Sequence, residues 1–260
     1  MARVISFDVK ADFGFFKKPD TNKIYLTYTI PPKPLVLGIL GAVIGLKGLK
    51  EQYYERSKLP EYYEKLRNLK IGISPSRENN FPFGNIVNVY NSNNSYAYSN
   101  SNTIIREQIL IKPSYKIYVH CEDQNEYFDK LVEFLKSRTT IFIPYLGKND
   151  FPLEFGNLVE HKKIEDVPEQ KGIIESIHLF NSSQEDLYAS PRFFISKNPD
   201  SMSTKESIEF YENIPVDYDN NLFYVLKTAR YVDKEIDFSK ISLHEEGRLI
   251  KVDGKIIYLY

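Results

Sequence analysis

The sequence contains no tryptophan, a single cysteine and four histidines among its 260 residues. One cysteine, Cys121, excludes an internal disulfide and a cysteine zinc cluster. No apolar run approaches the ~18 residues that a membrane-spanning helix requires. The chain opens into charged residues rather than into the apolar stretch of a secretory signal. We therefore expect a cytoplasmic protein that has no membrane partner.

Catalytic and cofactor motifs are also missing. The sequence has no Walker-type phosphate loop, no dinucleotide-binding glycine fingerprint, no nucleophile elbow and no paired-histidine zinc motif. Asp217, Asp219 and Asn221 imitate the first half of a calcium loop, but Leu222 and Thr228 stand where that loop needs glycine and glutamate. The histidines lie far apart, without ligand spacing. The sequence therefore predicts neither a metal site nor a cofactor.

Charge is unevenly distributed along the chain. The formal net charge is only -1, yet residues 1–77 hold 14 Lys+Arg against 7 Asp+Glu, which leaves 20 against 28 for the remainder. A basic region beside an acidic one is compatible with a polyanion bound on one face of the protein.

The only strongly apolar helix follows a proline-rich segment. A proline disfavours the helical conformation of the residue before it, so we expect the helix to begin near Pro34 or Leu35. Gly38, Gly41 and Gly45 would share one face of this helix. Because glycine costs ~1 kcal/mol relative to alanine inside a helix, we expect a sheet or a ligand to approach that face closely.

The periodicity of the first 150 residues alternates between strands and helices. It predicts a strand at 3–10, a helix at 59–70, a hairpin of strands 104–111 and 115–122, a helix at 125–138 and a buried strand at 139–147. The resulting order is the split βαβ pattern of ferredoxin-like and RNA-recognition folds. The polar tract within residues 73–103 is either a mobile surface loop or a hairpin that a partner orders.

The rest of the chain is richer in strands. Candidate strands lie at 172–180, 192–196 and 222–232, and Asp253-Gly254 predicts a type I′ turn in a terminal hairpin. We therefore expect an α+β protein with a βαββαβ domain at 1–150, which carries an insertion at about 73–103, and a smaller β-rich part at 151–260.

Three stretches together resemble a known family. The stretch FDVKADFGFFKKPDTNKIYLTYTIPPKPLVLGILGAVIGLKG resembles the amino-terminal signature of the Cas-five family, a branch of the RAMP superfamily found in type I CRISPR effector complexes. REQILIKPSYKIYV and YLGKNDFP resemble its central hairpin and its Tyr-Leu-Gly segment. The resemblance is closest to the type I-B form. It covers about the first 155 positions well and the remainder only loosely.

The resemblance implies a specific role. The chain would hold the 5′ handle of the CRISPR RNA at the foot of the Cascade complex in antiviral defence. It would contact the backbone and large subunits and meet target DNA only through the complex, and its insertion would be a thumb that reaches toward the adjacent backbone subunit. By position, the implied RNA contacts are Phe16, Lys17, Lys18, Tyr28, Arg77, Arg106, Tyr145 and Lys148. Lysine and arginine meet phosphates, and aromatic rings stack on bases.

A nuclease is the alternative hypothesis. The type I-C branch of the family cuts precursor RNA with a tyrosine, a lysine and a histidine and without metal. Lys116 and His120 would face one side of a strand, and Tyr28 would complete such a site. In that branch the lysine and histidine are adjacent, whereas here three residues separate them. We therefore expect a non-catalytic RNA-binding subunit.

A third hypothesis, a generic RNA-recognition protein outside CRISPR, is disfavoured. The sequence lacks the K/R-G-F/Y-G/A-F-V-x-F/Y stretch that is typical of such proteins.

Overall fold

The structure is a computed structural model. It describes residues 3–19, 24–76, 81, 83–92, 103–180, 192–197, 206–241, 243–245 and 247–260. Within these residues the helices are α1 Lys33–Ile44, α2 Leu49–Glu55, α3 Glu61–Leu66 and α4 Glu126–Ser137, together with a 3-10 turn at Phe238–Lys240.

The strands fall into two groups along the chain. The first group is β1 Arg3–Lys10, β2 Phe13–Gly14, β3 Lys70–Pro75, β4 Asn85–Ser92, β5 Thr103–Ile111, β6 Ser114–Cys121 and β7 Glu154–His161. The second is β8 Ile164–Glu165, β9 Lys171–Gly172, β10 His178–Leu179, β11 Arg192–Lys197, β12 Glu206–Tyr218, β13 Tyr224–Val232, β14 Ile236–Asp237, β15 Arg248–Val252 and β16 Lys255–Leu259. These strands pair antiparallel in all their named ladders, so the predicted α+β class is confirmed.

A four-stranded sheet of order β3-β6-β1-β7 organises the molecule. Because side chains alternate along a strand, β1 sends Ile5, Phe7 and Val9 to one face, where they join a core that includes α1 and α4. Val4 of β1 and Tyr118 of β6 join a second cluster on the other face, which the terminal hairpin β15–β16 covers. Both faces of the sheet are therefore covered.

Helix α1 is held by a close helix–helix contact. A Cβ atom at Gly41 would lie 2.5 Å from Cβ of Tyr62 in α3, so only glycine fits there. Gly45 ends α1 with a φ of 82°, a conformation that glycine adopts readily. The close approach that we expected at this face is therefore made by α3, and not by a sheet.

The predicted hairpin of strands 104–111 and 115–122 is wrong in its pairing. Both strands exist, but β5 pairs with β4 and β2, whereas β6 pairs with β1 and β3. Lys112 has a φ of 47° and Pro113 has no N–H, so the chain crosses here from one sheet to another. The ribbon β4–β5 takes the place of that hairpin, and residues 93–102 between its strands lie outside the described residues.

The predicted buried strand at 139–147 is also wrong. This segment is irregular and lies along the end of α1, where the N–H groups of Ile141 and Phe142 donate to the carbonyls of Val43 and Ala42 (3.0 Å each). Its apolar run stays exposed, with Ile143 at 78%. The fourth strand of the main sheet is β7, which pairs with β1.

The carboxy-terminal half contains the terminal hairpin that we predicted. β15 pairs with β16, and Asp253 and Gly254 have positive φ angles of 48° and 81°, as a type I′ turn requires. One hydrophobic cluster contains residues from both halves of the chain. The division at residue 150 stays a prediction. None of the described helices is long and apolar enough to cross a membrane.

Two glycine substitutions test the contact between α1 and α3. Gly41→Ala should destabilise the protein by about 1–3 kcal/mol, because the new methyl group overlaps Tyr62. Gly38→Ala is the matched control, since its Cβ would meet Tyr62 only at an ordinary 3.7 Å. This control should stabilise the helix by about 0.5–1 kcal/mol. Urea denaturation measures both, and equal stabilities for the two variants would contradict the packing described.

Candidate nucleic-acid interface

Extended segments beside β5 build the most promising surface. Residues 15–18 pair with residues 25–28, and the Tyr28 N–H donates to the Phe16 carbonyl (2.8 Å). The second segment runs along β5, where the N–H of Tyr25 donates to the Arg106 carbonyl (2.8 Å). Backbone hydrogen bonds therefore fix the side chains of these segments relative to the sheet.

Two lysines lie over aromatic rings on this surface. The Lys17 ammonium is 3.8 Å from the centre of the Tyr25 ring. The Lys148 ammonium is 5.5–5.9 Å from the centres of three rings. We call the six residues the lysine–aromatic surface, in which Phe15 is a buried ring that supports Lys148: Phe15, Lys17, Tyr25, Tyr90, Lys148 and Phe151.

The two lysines differ electrostatically. Lys148 lies 2.7 Å from a carboxylate oxygen of the buried Glu107. Partial burial acts to lower the pKa of Lys148, but the hydrogen bond and charge of Glu107 outweigh it, so the pKa is raised and the side chain stays charged. Lys17 is exposed, and no ion pair to it is found within the described part of the chain. Lys17 is therefore the cation best placed for an incoming phosphate.

Several of the predicted RNA contacts lie elsewhere. Phe16 and Tyr28 are buried in the core, and Lys18 is buried in an ion pair. Tyr145 is partly exposed and lines a separate apolar cleft. These four positions are therefore not on the lysine–aromatic surface.

The two predicted arginine contacts are not placed there either. Arg106 is exposed, but it follows the alternation of β5, so its side chain faces away from the Glu107 side on which Lys148 lies. Arg77 lies outside the described residues. Tyr25 forms a β-bridge with Glu107, so the ring under Lys17 and the carboxylate that pairs with Lys148 share one face of the sheet. Of the eight predicted contacts, Lys17 and Lys148 are therefore the two that belong to this face.

Sequence reasoning did not connect these lysines with Tyr25 or Phe151. Tyr25 lies eight residues from Lys17, and Tyr90 and Phe151 come from distant segments, so no local motif connects them. Lysine beside phenylalanine, as in Phe15 to Lys18, was the only available signal.

The tyrosine–lysine–histidine site is not assembled. Lys116 forms a 2.5 Å ion pair with Asp8. His120 lies four residues further along β6, roughly 13 Å away at ~3.3 Å per residue. Tyr28 lies next to Thr29, whose carbonyl accepts a hydrogen bond from the Tyr115 hydroxyl. Because side chains alternate along β6, Tyr115 faces the side of the sheet opposite to Lys116 and His120. The three side chains therefore do not share a pocket.

A serine–histidine–aspartate chain occurs at a place that the sequence did not suggest. Nδ1 of His161 lies 2.6 Å from Asp253, and Nε2 lies 2.8 Å from the hydroxyl of Ser6. Ser6 is only 2% exposed and lies in the middle of β1, so a substrate could not reach it. This chain therefore ties the turn of the terminal hairpin to the main sheet.

An apolar cleft of about 630 Å³ lies beside α1. Gly38 and Ala42 lie on the side formed by the helix, and Tyr145 comes from the irregular segment. Tyr218 and Tyr224 contribute two stacked rings whose centres are 5.3 Å apart. The ring of Tyr145 therefore borders this cleft rather than the lysine–aromatic surface.

A buried ion pair fixes the segment that carries Lys17. The Lys18 ammonium lies 2.7 Å from Glu212 of β12, which is fully buried. The other carboxylate oxygen of Glu212 accepts the N–H of Thr29 (2.9 Å). Burial raises the pKa of Glu212, and Lys18 and the backbone N–H groups oppose that rise. One carboxylate thus binds both segments 15–18 and 25–28 to the second half of the chain.

Comparisons with known proteins find similarity at the level of structure. No protein-family model matches this sequence, and no curated protein matches it either. The chain is similar to a CRISPR protein from Archaeoglobus fulgidus, with 12% identity and a TM-score of 0.45 over 99% of this chain and 98% of that one. It is similar to a chain of a CRISPR RNA-guided surveillance complex, with 12% identity and a TM-score of 0.44 over 90% and 92%.

A third similar structure is a chain of the type III-B Cmr-beta complex bound to cognate target RNA and AMPPnP. The identity is 13% and the TM-score is 0.43, over 91% of this chain and 86% of that one. All three of these chains come from CRISPR-associated proteins or complexes.

Removing Lys18 should show how much the buried Glu212 carboxylate destabilises the fold when it has no cation beside it. Lys18→Met leaves Glu212 buried and unpaired, which should cost about 3–5 kcal/mol at pH 7.5. The pKa of Glu212 in the folded variant would lie above its unfolded value, so stability should be recovered at low pH and lost as pH rises through the folded pKa. Urea denaturation between pH 5 and pH 7.5 measures this slope. The control is Lys18→Met with Glu212→Leu, which should lose the slope, and a pH-independent Lys18→Met would contradict the assignment.

Proposed function

We propose that this protein is a non-catalytic RNA-binding subunit of a type I CRISPR effector complex, of the type I-B form, and that it caps the 5′ handle of the CRISPR RNA. The observation that carries the proposal is the lysine–aromatic surface. An exposed ammonium and a set of rings, held on a hydrogen-bonded backbone, provide phosphate contact and base stacking together. The Cas-five signature overlaps this surface, since it contains Phe15, Lys17 and Tyr25.

The order of elements supports a ferredoxin-like RAMP core. Along the chain the main sheet and its helices run β1, α1, β3, β6, α4, β7, and the strands lie in the order β3-β6-β1-β7. A split βαβ unit would produce such an order, with β6 inserted between two parallel strands. We assign residues 3–161 to this core.

The ribbon β4–β5 supports the proposed thumb. In the chain, the ribbon lies between β3 and β6 of the main sheet. β4 falls within the predicted insertion at 73–103, and β5 continues from the end of that insertion to Ile111. Val87, Val89 and Ile104 are more than half exposed along it. Apolar side chains grouped on an exposed ribbon are typical of a protein contact surface. We propose that the ribbon meets the adjacent backbone subunit.

The alternative, a metal-independent endoribonuclease, receives no support from the geometry. Lys116 is paired with Asp8 and lies far from His120 along β6, and Tyr28 lies on the other face of the sheet. General acid–base cleavage needs these groups within hydrogen-bonding reach of one phosphate. We therefore propose binding without cleavage.

An RNA-binding experiment tests the proposal. In EDTA, the protein should shift its own CRISPR repeat RNA on a native gel and leave that RNA intact on a denaturing gel. Lys17→Gln should weaken binding and lower the slope of log affinity against log salt by roughly 0.7, because one phosphate contact is lost. Tyr25→Leu should weaken binding with little change in slope, because stacking is lost instead.

Lys58→Gln is the matched control, since Lys58 is an exposed lysine between α2 and α3 and is not one of the six residues of this surface. This variant should bind RNA as the wild type does. Cleavage of the repeat RNA would replace the proposed function by the nuclease alternative. An unchanged affinity in Lys17→Gln and Tyr25→Leu would remove the lysine–aromatic surface from the RNA path.

The thumb assignment predicts an assembly defect without a folding defect. Val87→Thr with Val89→Thr keeps β-branched side chains and adds no charge, so stability should change by less than about 1 kcal/mol. Co-purification of backbone subunits with the tagged variant should fall, while RNA binding by the isolated protein should stay unchanged. Normal co-purification would contradict the assignment.

A further inference from the structure

A polar cavity opens where the main sheet meets the terminal hairpin. Its volume is about 320 Å³, and none of its residues belongs to the lysine–aromatic surface. His120 at the end of β6 forms one wall, and β8 pairs with β15 to form the other. The residues that line the cavity are His120, Lys162, Ile164, Glu165, Asp166, Arg248 and Ile250.

His120 is an unsatisfied group in this wall. The residue is only 3% exposed, and its Nδ1 has no hydrogen-bond partner among the described residues. Burial lowers the pKa of His120, and the nearby Arg248 and Lys70 lower it further, although Glu122 opposes them. The ring is therefore neutral at pH 7, with one N–H donor and one acceptor.

The charges around the cavity favour an anion. Each carboxylate of the lining already has a cation: Asp166 lies 2.8 Å from Arg248, and Glu165 lies 2.8 Å from Lys163. Lys162 is exposed, and the described residues provide no carboxylate for it. Lys162 therefore supplies a positive charge at the rim, and Glu122 beside His120 is a carboxylate that opposes it.

The donor types match a phosphate group. A guanidinium presents several N–H donors in a plane, an ammonium adds a mobile charge, and a neutral imidazole contributes one N–H. Ile164 and Ile250 supply an apolar wall, on which the rest of an organic phosphate could pack. Three different donors around one cavity suit an oxygen-rich tetrahedral anion better than a planar carboxylate.

We propose that His120, Lys162 and Arg248 form a binding site for a phosphate group, carried either by a free nucleotide or by the end of an RNA. The proposed site shares no residue with the lysine–aromatic surface, so it can be tested independently of the proposed function. It also gives His120 a binding role rather than the catalytic role of the nuclease hypothesis.

Histidine NMR tests the site. With ring-labelled histidine, inorganic phosphate should shift the His120 signals saturably at constant ionic strength, while chloride at the same ionic strength should not. The signals are assigned with His120→Asn. Lys162→Gln and Arg248→Gln remove exposed side chains, so they test the site even where His120→Asn fails to fold. Each should weaken phosphate binding about tenfold, the effect expected for one charge-assisted hydrogen bond.

Two further arms identify the source of the phosphate. Adenosine monophosphate tests a free nucleotide, and a short RNA with a 5′-phosphate is compared with the same RNA carrying a 5′-hydroxyl. Lys130→Gln, which removes an exposed lysine on α4, is the matched control and should bind like the wild type. The proposal is overturned if phosphate leaves the His120 signals unmoved, or if Lys162→Gln and Arg248→Gln bind phosphate as tightly as the wild type.

Discussion

The buried ion pair between Lys18 and Glu212 is the constraint on which the proposed interface depends. An ionised pair with almost no exposure is tolerated only when its remaining polar atoms are satisfied, and the N–H of Thr29 provides part of that satisfaction. The pair joins an amino-terminal segment to β12, nearly 200 residues later. Because side chains alternate along an extended chain, anchoring Lys18 inward turns Lys17 outward. The buried Lys18 thus positions the exposed Lys17.

The same alternation explains which site residues could be anticipated. The pair Lys17-Lys18 looks symmetrical in the sequence, and nothing local says which lysine is buried. The answer lies in Glu212, a residue of a long strand, β12, that periodicity did not predict. Phe16 and Tyr28 were candidates because aromatic rings stack on bases, but rings at the edge of a core are equally suited to fill it. Tyr25 and Tyr90 became visible only through their positions beside β5.

The fold was predictable where local pattern decides the structure. The strand at 3–10, the apolar helix, the amphipathic α4 and the terminal hairpin each depend on periodicity or on turn chemistry within a dozen residues. The errors concern which segments pair or pack with each other. Strands β5 and β6 are separated by two residues, which favours a hairpin, but a proline and a left-handed lysine send them to different sheets. Residues 139–147 are apolar enough for a buried strand, yet they lie along α1 and leave the side chain of Ile143 exposed to solvent.

Part of the positive charge near the proposed interface is compensated within the fold. Lys18 is paired with Glu212 and Lys148 with Glu107, so Lys17 is the lysine of this surface for which the described residues hold no ion pair. If the lysine–aromatic surface is the RNA site, its two lysines cannot hold RNA mainly through counterion release, which needs many phosphate contacts. On the proposed function, the rings around Lys17 and Lys148 would then carry a large share of the affinity, since each stacked base contributes ~1–3 kcal/mol without any net charge. RNA binding by the isolated chain would then depend only weakly on salt, and shape and stacking would select the bound conformation of the strand.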